Sequence, residues 1–137
     1  MIEVRNLTKK YGNTKVVDNV SLDIEKGKMI SLIGPNGAGK STVLSMITRL
    51  MDMDEGQVII DGTELSKWDS KELSKRISIL KQANDVNLRL TIRELVEFGR
   101  FPHSQGNITA VDNEFIDKAI KSVSYTHLRA HETKANL

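Results

Sequence analysis

Hydrophobic and polar residues alternate in two stretches of the first 24 positions, the pattern of a sheet with one covered face. Ile2-Glu3-Val4 shows the alternation briefly, and Val16 to Ile24 shows it at greater length, with Tyr11-Gly12-Asn13 as the turn signal between them. An antiparallel β layer is predicted. Met29 to Ile33 is instead a short, mostly apolar run, as in a strand buried on both faces, and it ends at a Gly/Pro/Asn loop. Helical periodicity begins near Lys40. Gln57 to Ile60 reads as a further strand closed by Asp61-Gly62, Ser66 to Lys75 as a helix, and Ile77 to Leu80 as a return to strand. Thr91 can cap a helix because Glu94 stands three residues later, and Ile92, Leu95, Val96 and Gly99 then share one face. A last helix is expected from Asp112 to Lys121.

Composition narrows the class. A chain of 137 residues is long enough for one core, and 39% hydrophobic and 28% charged residues are ordinary for a globular domain. Twenty basic residues stand against 18 acidic ones without a block of like charge, which argues against a nucleic-acid partner. The absence of cysteine excludes a disulfide scaffold, a thiolate metal site and a cysteine nucleophile. No apolar run approaches the roughly 18 residues of a membrane span, and Met1 to Arg5 lacks a signal peptide's apolar stretch. A cytoplasmic chain is expected, with any membrane role acting through a partner protein.

The chemistry is concentrated in Gly34-Pro35-Asn36-Gly37-Ala38-Gly39-Lys40-Ser41, which matches G-x-x-x-x-G-K-[ST] and lies between a predicted strand and a predicted helix. Glycines let backbone N–H groups converge on phosphate oxygens without an obstructing Cβ, and the following helix N-terminus adds partial positive charge. In that motif Lys40 reaches the outer phosphates, the Ser41 hydroxyl is placed to ligate Mg²⁺, and Thr42 can donate to a phosphate.

Gly34 to Thr42, read as GPNGAGKST, resembles the form this loop takes in ABC transporter ATPases. Tyr11 sits where that family carries its adenine-stacking aromatic, on the β layer before the loop. Gln82, after the Ile77 to Leu80 strand, is similar to the family's Q-loop glutamine, whose amide contacts Mg²⁺ and the attacking water; the preceding Leu80-Lys81 departs from the usual proline. Leu90 to His103 (LTIRELVEFGRFPH) resembles the segment that opens the helical subdomain in importers of iron–siderophore, haem and cobalamin complexes. Apolar Leu88, Leu90, Ile92 and Leu95, with Arg89 and Arg93 at the rim, are expected to offer a docking surface.

Two stretches imitate the family's catalytic strand of four apolar residues followed by Asp-Glu. Asp54-Glu55 follows the polar Met51-Asp52-Met53, and Val58-Ile59-Ile60-Asp61 runs into glycine, so both are read as structural. No Leu-Ser-Gly-Gly-Gln signature, Asp-Glu strand or switch histidine follows Gln82. Val123 to Thr133 (VSYTHLRAHET) resembles the translation of a sequencing adapter, which divides the chain into a partial nucleotide-binding domain over 1–122 and a non-native tail over 123–137. His127 and His131 in that tail are accordingly not read as metal ligands.

The expected fold class is α/β, a P-loop ABC ATPase core with an N-terminal antiparallel β layer, incomplete at the C-terminus. The resemblance implies an ATP-binding importer subunit at the cytoplasmic face of the membrane, using ATP and Mg²⁺. Its implied partners are integral membrane permease subunits, a second ATPase subunit and, indirectly, a substrate-binding protein. The site comprises Tyr11 and Gly34 to Thr42, with Ser41 and Gln82 toward the metal and Gln82 as the catalytic contributor. Alone, a chain lacking the downstream motifs is expected to bind nucleotide with negligible turnover. The alternative is a soluble ABC ATPase acting on ribosomes or DNA. A small P-loop kinase is disfavoured by the β layer before the loop.

Overall fold

The computed structural model describes residues 1–80 and 90–132, the last nine of these by backbone alone. The chain divides into two compact units, Met1–Ile79 and Leu80–Leu137.

The first unit is built on β1 (Ile2–Tyr11) and β2 (Thr14–Ile24), an antiparallel hairpin closed where Tyr11 pairs with Thr14. Gly12 takes φ 57° in the two-residue connection, a conformation that costs glycine little. After the loop come α1 (Lys40–Ile47), β3 (Glu55–Ile60) and β4 (Thr63–Glu64). A short 3₁₀ turn at Leu65–Lys67 then leads into α2 (Ser70–Ser74). The sheet runs β2-β1-β3-β4, all antiparallel, so β1 is central, with Val4 facing Leu22 on one side and Val58 on the other. Asp61 and Gly62, at φ 48° and 80°, form the hairpin turn between β3 and β4, as the dipeptide predicts.

Period-two alternation places Val4, Val58 and Ile60 on one face of this sheet, where with Leu7 and Val17 they pack on Val43, Met46 and Ile47 of α1 and on Leu65 and Leu73. Gly56 enters β3 at φ 97°, and a Cβ there would stand 2.6 Å from the carbonyl oxygens of both Arg5 and Asn6, so β1 and β3 can close only over glycine. Helix α1 ends in a Schellman motif: Leu50 N–H donates to Ser45 O at 2.9 Å and Arg49 N–H to Met46 O at 3.1 Å. Arg49 occupies the left-handed position, φ 57°, that glycine usually fills. Its guanidinium compensates by donating to the carbonyls of Leu65 and Trp68 and to Ser70 Oγ, tying the end of α1 to the start of α2.

Two predicted strands do not form. Met29 to Ile33 and Ile77 to Leu80 belong to no ladder, and Met29 and Ile33 are both 94% exposed. A strand exists only through neighbours that satisfy its N–H and C=O groups. Among the described residues every strand belongs to the antiparallel sheet, which includes neither segment. The predicted Ser66 to Lys75 helix is also interrupted. Trp68 is extended, and Asp69 starts α2 afresh by accepting from the N–H groups of Lys71 and Glu72.

The second unit is helical: α3 (Ile92–Phe98), α4 (Phe101–Ser104) and α5 (Ala110–Glu132). The predicted capping box is present, with Glu94 N–H donating to Thr91 Oγ1 and Thr91 N–H donating to Glu94 Oε2. A second box unites Thr109 with Asp112 at the start of α5, which runs past the predicted limits of Asp112 and Lys121 at both ends. Arg100 donates twice to Asp112 Oδ1, at 2.9 and 2.7 Å. The Thr109 hydroxyl and N–H, then Arg100, hold the Asp112 carboxyl down from 3.8 to about 2. Among the described residues no helix is long and apolar enough to cross a membrane.

Candidate functional site

The loop from Gly34 to Gly39 turns on two left-handed glycines, Gly37 at φ 83° and Gly39 at φ 79°. Ala38 N–H donates to Pro35 O at 3.3 Å, which tightens the turn, and Gly39 is the N-cap of α1. Gly39 brings no side chain to cap the helix, and no acidic residue lies in the first turn. The N–H groups of Lys40, Ser41 and Thr42 therefore have neither an intrahelical acceptor nor a carboxylate partner, which is the donor array an anion requires.

The two glycines are needed for different reasons. A Cβ on Gly37 would meet nothing within 4 Å, so that position requires only the dihedral. At Gly39 a Cβ would fall 2.5 Å from the carbonyl oxygen of Val16 and 3.2 Å from the Val17 side chain, so the loop is seated directly on β2. Gly34 to Ala38 and Ser41 are exposed, while Lys40 and Thr42 are half-buried. The Lys40 ammonium donates to the carbonyls of Gly34 at 2.7 Å and Pro35 at 2.6 Å, neutral acceptors that the oxygens of a phosphate can replace.

Residues present fit a polyphosphate: a run of N–H donors, one ammonium and two hydroxyls around a loop without acids. For Mg²⁺ they offer the exposed Ser41 hydroxyl. No group of three or more His, Cys, Asp or Glu among the described residues could hold a metal, so among these residues such an ion would rest on Ser41 and on its ligand's own oxygens.

Tyr11 ends β1, and the residue is about half exposed. Its hydroxyl donates to Met51 Sδ at 3.3 Å, and the Lys9 ammonium lies 6.0 Å from the ring centroid. The hairpin carries Tyr11 to the loop: its partner Thr14 is two residues from Val16, about 7 Å along β2, and Val16 touches Gly39. Nothing in the local sequence announces Met51 or Val16, because both act across tertiary contacts. Gln82, Leu88 and Arg89 lie outside the described residues. Arg93, expected at the rim of a docking surface, is partly exposed and engaged by Asp117, Asn113 and Glu97.

The acidic pairs that imitate a catalytic strand are structural. Asp54 accepts from the Lys10 N–H and the Lys9 ammonium, which hold its carboxyl below the ordinary value, and Glu55 pairs with Lys10 at 2.6 Å. Asp61 pairs with the α-amino group of Met1 at 2.7 Å.

Residues 17–137 match the family model described as ABC transporter. Petrobactin import ATP-binding protein YclP of Bacillus subtilis (strain 168) is 56% identical over 120 residues, which cover 88% of this chain and 48% of that protein. Iron(3+)-hydroxamate import ATP-binding protein FhuC of the same organism is 42% identical over 96 residues, 70% of this chain and 36% of that protein. A dimeric bacterial ABC transporter cassette superposes with a TM-score of 0.70 at 33% identity, over 88% of this chain and 55% of that one. The chain spans about half the length of the relatives it matches. The α/β class with its N-terminal antiparallel layer is thus that of the cassettes, and the chain belongs to the ABC transporter family.

Proposed function

We propose that this chain is the nucleotide-binding part of an ABC importer ATPase that takes up iron–siderophore or related metal-chelate complexes. The observation that carries the nucleotide site is the seating of Gly39 on Val16, which joins the phosphate loop to the strand whose hairpin ends in Tyr11. One ligand with an aromatic base and a phosphate chain suits both features, and ATP is that ligand. The importer reading draws on the import functions named for YclP and FhuC and on the Leu90 to His103 segment.

In this reading the N–H groups of Lys40, Ser41 and Thr42 bind phosphate oxygens, and Lys40 exchanges the carbonyls of Gly34 and Pro35 for the outer phosphates. Ser41 would hold Mg²⁺, which would neutralise phosphate charge, and Thr42 would donate to a phosphate. Tyr11 stacks the adenine. Gln82 is assigned the Q-loop role, toward Mg²⁺ and the attacking water, on its resemblance alone. In the whole protein, hydrolysis would be coupled to transport at the cytoplasmic face of the membrane. A second ATPase subunit and integral permease subunits would be its partners, with a substrate-binding protein delivering the cargo.

Calorimetry with Mg-ATP tests the site. Tyr11→Ala is expected to lose about 1–3 kcal/mol, the range for base–aromatic stacking, and equal affinity would return Tyr11 to a structural role. For the importer, the restored full-length subunit should co-purify with its neighbouring permease. Recovery on ribosomes with no permease contact would instead establish the soluble alternative.

A further inference from the structure

Tyr11 has two partners that a tyrosine merely ending a strand does not need. Its O–H donates to the thioether of Met51, 40 residues away, and the Lys9 ammonium lies at one face of the ring. Neither partner is loose. Met51 is partly buried and packs against the core beneath the sheet, at the end of the segment that the Schellman motif and Arg49 fix. Lys9 is held by Asp54 at 3.0 Å, and Asp54 is itself fixed by accepting from Lys10 N–H and donating its own N–H to Thr8 O. The ring is thus held at its hydroxyl and occupied on one face, while 52% of the residue stays open to solvent.

We infer that Met51 is a positioning residue for nucleotide recognition: by accepting the Tyr11 hydroxyl it holds the ring so that the face away from Lys9 is presented as the platform for a purine base. This rests on the stacking role proposed for Tyr11. The thioether suits the task because it is apolar enough to pack against the core and still accepts one weak hydrogen bond. A fixed platform binds more tightly than a free one, because the ring's rotamer freedom is lost on folding rather than on binding. The base recognises this device and the phosphates do not.

That difference supplies the test, made on the full 137-residue chain with two probes, Mg-ATP and Mg-tripolyphosphate, the second lacking a base. Tyr11→Phe keeps the ring and removes the donor, and Met51→Leu keeps the apolar bulk and removes the acceptor. Each is expected to weaken Mg-ATP binding by about twofold to tenfold, the range for one hydrogen bond. The double variant should be no weaker than either single one, because both remove the same interaction. Tripolyphosphate affinity should stay unchanged in all three. Additive losses, an unchanged affinity in Met51→Leu, or an equal loss for tripolyphosphate would overturn the inference. Tyr11→Ala separates the two levels: if it weakens Mg-ATP binding while Met51→Leu does not, only the positioning role fails. If Tyr11→Ala changes nothing, stacking itself fails and positioning with it.

Discussion

Gly39 lies so close to Val16 that the smallest side chain would stand 2.5 Å from the Val16 carbonyl oxygen. The contact fixes the phosphate loop against β2, and since the oxygen belongs to the backbone of a paired strand it cannot move aside cheaply. Gly39→Ala therefore meets two costs together, a left-handed φ of 79° and a backbone clash. The strained dihedral alone costs about 1–3 kcal/mol in a non-glycine residue. Urea unfolding should show at least that loss, and calorimetry should show Mg-ATP binding falling with it. Unaltered values of both would mean that loop and strand are not in contact. Gly37→Ala, with open space around its Cβ, should cost only the dihedral part.

Lys40→Ala separates binding from folding. The ammonium's partners are the carbonyls of Gly34 and Pro35, in an exposed part of the loop where water can replace it, so the unfolding midpoint should hardly change. Nucleotide affinity should fall by about 1.5–3 kcal/mol, the range for hydrogen bonds to a charged group. Calorimetry with Mg-ATP measures the second quantity and thermal unfolding the first. A large stability loss with unchanged affinity would reverse the assignment.

Arg49 combines a left-handed backbone with three hydrogen bonds to the 65–70 segment. Arg49→Ala removes the bonds and keeps the strain, and should destabilise the first unit by about 1–3 kcal/mol. Arg49→Gly removes the same bonds but relaxes the helix end, so its loss should be smaller by about 0.5–1 kcal/mol. Chemical denaturation of the two variants gives the order, and Gly worse than Ala would show that the backbone there is not strained.

Acid sensitivity of the second unit should be centred on Asp112. Its carboxyl is held down from 3.8 to about 2 by Thr109 and then Arg100. A depressed folded value means stabilisation that is complete above the unfolded value and is lost as pH falls through the folded one. The start of α5 should thus lose support between about pH 4 and pH 2. Glu94, whose carboxyl is lowered by Thr91 in the other capping box, titrates in the same direction. Asp112→Asn should lower the helical circular dichroism at pH 7 and flatten its decline in that window. An unchanged acid profile would remove Asp112 from the account.

How far the sequence could be read depended on the range of the physics. The two-residue turn after Tyr11, the left-handed glycines of the loop, the helix beginning at Lys40 and the Thr91–Glu94 capping box were legible because their hydrogen bonds and dihedrals involve neighbours in the chain. Period-two alternation likewise marked the face of β1 that packs on α1. Where the outcome depended on a distant partner, the same sequence was mute or misleading. Met29 to Ile33 and Ile77 to Leu80 have the composition of buried strands, yet no strand of the described sheet lies beside them and they form no ladder. Arg93 pairs with Asp117 and Asn113 of α5, partners that its own segment of sequence does not name.

By itself, then, the sequence determined the loop that can bind phosphate, since N–H groups on consecutive residues converge through local dihedrals alone. Tertiary structure decided what that loop is attached to. Val16 under Gly39, Met51 on Tyr11 and Arg49 on Trp68 each join residues at least 19 apart in the chain. Such pairs form only when a sheet and a helix have packed around one core, because the entropy of bringing them together is offset by apolar burial elsewhere and not by the contacts themselves.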